Sequence, residues 1–240
     1  MTSGVRTAWE AICAALLSPP CALCGRILDE PTRGAICGQC WSTARLLTPP
    51  LCERCGYPVG GSGACVGCRE LRVVDRARAL GAYEGALRDI LQALKYASRR
   101  SAAPALAALL RTRYGDILEG ADATVPVPLH RRREWARGFN QAELIARSLG
   151  VPVRHVLRRR QHTPPQAGLT ADERRRNVVQ AFTPSIRARV QPTLVRGAVL
   201  VLVDDVSTTG ATLDACARVL KDAGAREVRA LVVARTLKGQ

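Results

Sequence analysis

Apolar positions follow two different periods along this chain, and residues 21–70 follow neither. After about residue 76, short unbroken apolar runs alternate with segments where apolar residues return every three to four positions. The runs at 77–83, 121–128, 198–203 and 227–234 have strand length, and 151–157 is a further candidate. Segments 86–97, 104–118, 141–149 and 212–223 have helical periodicity. Leu87, Ile90, Leu91 and Leu94 share one side of the first, and Leu213, Cys216, Val219 and Leu220 one side of the last. Gly224 is placed to stop that last helix. Strands that are apolar throughout are buried on both faces, and their alternation with helices predicts an α/β fold with a parallel sheet. Residues 158–192 read as mostly irregular, apart from a short helix opened by the capping box of Thr170 and Glu173.

The N-terminal third is different. Residues 7–17 put Trp9, Ile12, Cys13, Leu16 and Leu17 on one helical face, which Pro19-Pro20 ends. Residues 21–70 are rich in Gly, Pro and Cys and cannot build a core from side chains alone. Eight of the 10 cysteines fall there in four C-x-x-C pairs: Cys21/Cys24, Cys37/Cys40, Cys52/Cys55 and Cys65/Cys68, separated by 12, 11 and 9 residues. A C-x-x-C knuckle puts two thiolates on one side of a tight turn, and two knuckles complete a tetrahedral shell for Zn²⁺. Eight ligands make two closed, structural Cys₄ sites, paired in sequence order (Cys21/24/37/40 and Cys52/55/65/68) in preference to a cross-braced arrangement. The alternatives are a disulfide framework and an iron–sulfur cluster. Residues 1–18 contain Glu10 and no small-residue cleavage pattern, so neither a secretory signal nor lasting disulfides are expected, and the expected location is cytoplasmic. Cys13 and Cys216 lie on apolar helical faces and read as structural. The expected division is 1–72, a helix plus double zinc ribbon, and 73–240, the α/β domain.

Charge adds a location. The formal net charge is +16, and residues 130–190 carry 14 Arg against 4 acids, a net of +10. Such a field suits phosphate-rich partners, although an arginine-rich solvated surface is the plainer alternative. At 47% hydrophobic and 23% charged the chain is too apolar to be fully disordered, and no apolar run reaches the length of a membrane span.

The most informative stretch closes the 198–203 run: Asp204-Asp205-Val206-Ser207-Thr208-Thr209-Gly210-Ala211-Thr212. Two acids end a buried strand, a hydroxyl-and-glycine loop follows, and a helix begins. Such a loop turns backbone N–H groups inward at a helix N-terminus and cradles phosphate. Asp204 and Asp205 are placed to accept from ribose hydroxyls or to hold Mg²⁺ through water. The loop lacks the G-K-[ST] of a Walker A motif. The remaining alternative is an ordinary βα-turn with capping Ser and Thr.

These residues resemble the phosphoribosyl-pyrophosphate signature of type I phosphoribosyltransferases. Val125-Pro126-Val127-Pro128-Leu129, Arg131-Arg132-Arg133, Arg137-Gly138-Phe139-Asn140-Gln141-Ala142, Thr163-Pro164-Pro165-Gln166-Ala167-Gly168-Leu169 and Glu173-Arg174-Arg175-Arg176-Asn177 narrow the likeness. Together with a double zinc ribbon, the chain resembles the ComF family over nearly its whole length, roughly residues 16–236. That resemblance implies a phosphoribosyltransferase-like domain, a phosphoribosyl pyrophosphate ligand with Mg²⁺, and a link to DNA uptake in competence. It implies that Val206, Ser207, Thr208, Thr209, Gly210, Ala211 and Thr212 take the 5′-phosphate and that Asp204 and Asp205 hold the ribose and the metal-bound end. The turn at Pro126, Val127 and Pro128 would approach the pyrophosphate, with Arg137 or one of Arg131–Arg133 supplying positive charge. Lys95 is a further candidate, or a solvated helix cation. Asn140 and Gln141 either join the ligand site or cap a helix and brace the turn. Residues 158–177 would form a flap in which Thr163, Gln166 and Arg174 meet ligand; His162 is given no role. The alternative function is a non-catalytic module for single-stranded DNA, or a helicase partner, on the same fold. Low aromatic content weighs against stacking on bases.

Overall fold

The computed structural model describes residues 20–28, 35–59, 65–96, 100–160 and 181–237. The helix expected at 7–17, Cys13 and most of the flap, with His162, Thr163, Gln166, Thr170 and Arg174, lie outside them. In the ribbons two short helices carry cysteines, α1 (Gly38–Ser42) and α2 (Val66–Glu70). The α/β part then runs β1 (Arg76–Ala82), α3 (Gly85–Tyr96), α4 (Ala102–Leu118), β2 (Ala123–Pro126), α5 (Arg131–Arg137) and α6 (Gln141–Arg147). It continues with β3 (Leu157–Arg159), β4 (Phe182–Pro184), α7 (Ile186–Val190), β5 (Val199–Ser207), α8 (Ala211–Asp222) and β6 (Glu227–Arg235).

The expected parallel sheet is present, in the order β1-β6-β5-β2. Successive side chains of a strand face opposite sides. Leu200 and Leu202 of β5, with Val228 and Ala230 of β6, join Leu213, Cys216 and Leu220 of α8. Val201 and Val203, with Leu231 and Val233, join Leu87, Ile90, Leu91 and Leu94 of α3 and Leu106 and Leu110 of α4. Each fully buried Leu, Ile or Val contributes roughly 1.5–3 kcal/mol, so the unbroken apolar strands stabilise both layers at once.

Three stretches differ from the sequence reading, the first being 158–192, which reads as mostly irregular and carries most of β3, all of β4 and the short helix α7. The expected strand at 151–157 reduces to one parallel bridge, Thr124 to Val153. The ladder forms instead at β3, which pairs antiparallel with β4. Residues 131–137, read only as a charge cluster, form α5, ended by Gly138 at φ 73°.

Candidate functional site

β5 runs past its apolar stretch to Ser207, because its ladder with β6 continues to the Ser207–Arg235 pair. The two acids therefore lie within the strand. Alternation assigns Asp205 to the face of Val201 and Val203, where Lys95 in the last turn of α3 reaches its Oδ2 at 2.5 Å. Both side chains are largely buried. Lys95 also stands 6.0 Å from the centroid of Tyr83. Asp204 belongs to the other face, and its Oδ1 accepts from the Asp205 N–H at 2.9 Å. Desolvation and the negative charge of Asp205 push the Asp204 carboxyl well above the usual range, against the pull of the Asp205 N–H and Lys95. After the strand, Thr208 and Thr209 are exposed. Gly210 at φ 71° turns the chain into α8. The Ser207 hydroxyl is buried with no hydrogen-bond partner, a cost that a ligand oxygen at this position would remove.

The Val-Pro-Val-Pro turn lies on the neighbouring strand. The Val127 N–H donates to the Val203 carbonyl at 2.9 Å. Asn140 braces the turn from below: its Nδ2 donates to the Val127 carbonyl at 2.9 Å, while its Oδ1 accepts from the Ala142 N–H and caps α6. Gln141 is buried and accepts from Arg137 Nη1 at 3.3 Å; its own Nε2 has no partner. Arg137 also donates to the Tyr96 hydroxyl at 3.3 Å and lies 5.1 Å over that ring. Direct contacts thus join Lys95 to Asp205, Arg137 to Tyr96 and Gln141, and Asn140 to the Val127 turn, which is itself bonded to β5 at Val203.

Arg159 is a candidate site residue that the sequence reading does not single out. It lines a cleft of about 420 Å³ together with Pro126, Pro128, Arg131 and Asn140. Its guanidinium lies 5.3 Å from the Phe182 ring centroid, and its Nε is buried without a partner. Burial and the charge of Arg133 lower its pKa, while Cys216 and Asp204 raise it. Arg159 therefore brings a half-buried cation into the cleft beside the Val-Pro-Val-Pro turn. Within β3, alternation puts Arg159 on the inward side with Leu157, while Arg158 and Arg160 are exposed; a three-residue strand leaves no local signal in the sequence that would mark it.

The eight ribbon cysteines gather as two groups, Cys21/Cys24/Cys37/Cys40 and Cys52/Cys55/Cys65/Cys68, each with all four sulfurs within 4.8 Å of one another. This is the sequence-order pairing. A tetrahedral shell with Zn–S near 2.3 Å sets sulfurs about 3.8 Å apart. The Sγ–Sγ distances are 3.8 Å for Cys21–Cys40, 3.7 Å for Cys24–Cys37, 3.5 Å for Cys52–Cys68 and 3.4 Å for Cys55–Cys65. All are far longer than the roughly 2.0 Å of a disulfide. The two groups fit two structural zinc ions.

Comparison with known proteins agrees with the division into a cysteine-rich ribbon region and an α/β domain. Residues 12–69 match the double zinc ribbon domain family and residues 136–240 the phosphoribosyl transferase domain family. The chain is 30% identical over 217 residues to Competence protein F of Haemophilus influenzae, covering 85% of this chain and 91% of that one. It is 33% identical over 229 residues to the DNA utilization protein YhgH of Salmonella typhi, covering 90% and 97%. A solved purine phosphoribosyltransferase from Pyrococcus horikoshii aligns with a TM-score of 0.33 and 20% identity, over 59% of this chain and 85% of that one. Among the described residues no helix is long and apolar enough to cross a membrane. With two Cys₄ ribbons ahead of a parallel sheet that ends in an acid pair and a Thr-Thr-Gly loop, the chain belongs to the ComF/YhgH family of phosphoribosyltransferase-domain proteins.

Proposed function

We propose that this protein binds phosphoribosyl pyrophosphate with Mg²⁺ at the carboxyl edge of β5 and transfers the phosphoribosyl group to an acceptor. The observation that carries the reading is the acid pair in β5, held against Lys95 and leading straight into a loop of exposed hydroxyls at the start of a twelve-residue helix. In such a transfer the bond from ribose C1 to the diphosphate oxygen breaks while C1 gains positive character, and a new bond forms from C1 to the acceptor. Catalysis then rests on positioning and electrostatics. The Ser207–Thr212 segment takes the 5′-phosphate, and Asp204 and Asp205 take the ribose hydroxyls. Lys95, Arg137 and Arg159 supply positive charge to the departing diphosphate. Asn140 holds the Val127 turn in place.

The acids are suited to Mg²⁺ that arrives on the diphosphate. Among the described residues no third Asp, Glu, His or Cys is grouped with them. Mg²⁺ commonly takes one or two carboxylates plus substrate phosphates. When bound, it neutralises charge on the diphosphate.

The test is calorimetric titration of phosphoribosyl pyrophosphate with and without Mg²⁺. Asp204→Asn with Asp205→Asn weakens binding by about 100-fold or more, the scale of losing a desolvated charge contact, while circular dichroism stays native. Unchanged affinity overturns the proposal.

A second reading has one specific observation in its favour. Trp135 is 91% exposed, on α5 among Arg131, Arg132, Arg133 and Arg137. An exposed ring among cations suits base stacking beside phosphate contacts, so single-stranded DNA binding through α5 is the alternative. Its affinity would fall steeply with salt and drop on Trp135→Ala; no salt dependence would exclude it.

A further inference from the structure

The second ribbon, around Cys52, Cys55, Cys65 and Cys68, reaches the Thr208–Gly210 loop by two separate routes. One starts at Cys65 and Cys68, which sit at the head of α2 and within it. Directly after that helix the Leu71 N–H donates to the Gly67 carbonyl at 3.0 Å, so the knuckle dictates where Leu71 goes. Leu71 is 1% exposed and packs on Gly210 so closely that a Cβ there would lie 2.7 Å from Leu71 Cδ2. The next three backbone N–H groups, of Arg72, Val73 and Val74, all donate to the carboxylate of Asp214, at 2.7, 3.0 and 3.3 Å. Asp214 lies in the first turn of α8, with its own N–H on the Gly210 carbonyl at 2.9 Å. One carboxylate thus clamps the exit of the ribbon to the helix that the loop opens.

The other route starts at the Cys55 carbonyl, which accepts from Arg235 Nη1 at 2.7 Å. Arg235 is buried, with its guanidinium 5.3 Å from the Tyr57 ring centroid. It is the ladder partner of Ser207, and the Thr236 N–H donates to the Ser207 carbonyl at 3.0 Å. Both ends of the loop therefore rest on parts fixed by the same four cysteines.

We infer that Leu71, Asp214 and Arg235 are positioning residues for this loop, and that zinc at the second ribbon holds them in register. The inference rests on the reading that the loop takes a ribose 5′-phosphate. The ribbon has little core of its own, so its fold depends on its metal. Without the metal, Leu71 leaves Gly210, the N–H groups of residues 72–74 leave Asp214, and the loop must be ordered at the moment of binding. That ordering is subtracted from affinity.

The test combines hydrogen exchange of residues 207–214 with titration of ribose 5-phosphate, on the full chain with its zinc content measured. Leu71→Ala and Asp214→Asn keep all eight cysteines. Both retain two zinc ions, exchange about tenfold faster in 207–214, and bind ribose 5-phosphate about tenfold more weakly. Leu71→Met restores both values. Cys68→Ser, which loses the second zinc, gives the same local signature in larger measure. Unchanged exchange and affinity in Leu71→Ala and Asp214→Asn overturn the inference. So does faster exchange spread evenly over β1 and α4, because that marks a general loss of stability. If the wild type shows no affinity for ribose 5-phosphate but the local exchange change appears, the coupling stands and the phosphate reading fails.

Discussion

The two zinc ribbons repeat one motif, yet they are built into the molecule differently. The first offers Cys21, Leu28, Ile36 and Cys37 to the layer of α3 and α4. Its exit chain at 45–47 pairs with the outer edge of β1. Its Cys24 stays exposed. The second puts Cys55, 1% exposed, and Leu71 into the opposite layer beside α8. Arg78 donates to the Glu53 carbonyl, Arg54 to the Arg72 carbonyl and Arg235 to the Cys55 carbonyl. What differs is the set of groups each ribbon meets outside itself. The first braces the helix that carries Lys95, and the second braces the loop that follows the acids.

The largest expected effect tests that difference directly. Cys55→Ser and Cys24→Ser each remove one ligand, and each lowers the zinc content from two to one. Cys55→Ser also releases a buried carbonyl–guanidinium contact and part of the α8 layer. Its loss falls in the class of metal-site lesions above about 4–5 kcal/mol, a drop of roughly 10–20 °C at about 2–4 °C per kcal/mol. Cys24→Ser lowers Tm by clearly less. Equal drops in thermal melts, with equal zinc loss, would mean that the two ribbons are anchored alike.

A finer comparison uses matched glycines. Gly25 and Gly56 each follow the second cysteine of a knuckle, at φ 72° and 65°. A Cβ at Gly25 meets nothing within 4 Å, whereas one at Gly56 lies 2.7 Å from the Ala77 carbonyl oxygen and 3.2 Å from Arg78 Cα. Gly25→Ala therefore costs only the left-handed backbone, about 1–2 kcal/mol. Gly56→Ala adds a clash with rigid backbone of β1, about 1–3 kcal/mol more. Denaturant melts of the pair check this, and a Gly56→Ala cost no greater than that of Gly25→Ala would show that the second ribbon sits loosely on the sheet.

How much of this was legible beforehand follows from range. β5, β6, α3 and α8 announce themselves because their apolar spacing is local and long enough to set a period. The cysteine pairs are legible because a tetrahedral ion fixes ligand type and spacing. β3 and β4 have three residues each and pair across more than twenty positions, so no local pattern marks them. α5 is masked by its arginines, which give it no apolar stripe. Asn140 carried two readings in the sequence; its bonds to Val127 and Ala142 account for a cap and a brace. The clamp of Asp214 on residues 72–74 spans some 140 positions and has no local signal at all.

The smallest expected effect separates strain inside the site from support behind it. Asp204 has a carboxyl pKa held well above the ordinary value of 3.8, first by desolvation and then by Asp205. The folded chain therefore binds more protons here than the unfolded chain does, from about pH 4 up to the raised pKa. Stability from this group falls as pH rises through that window. Asp204→Asn removes the penalty without touching either ribbon. At pH 7 it stabilises the protein by about 1 kcal/mol, as relieving an unfavourable functional group commonly does, or about 2–4 °C in Tm. The gain shrinks toward zero as pH falls to about 4. The same variant loses the rise in Tm that phosphoribosyl pyrophosphate with Mg²⁺ gives the wild type. Thermal melts from pH 4 to 8, with and without ligand, read both effects. A variant less stable than wild type at pH 7 would show that Asp204 is held in place by favourable contacts, and that the acid pair, like the ribbon behind the loop, belongs to the support of the fold.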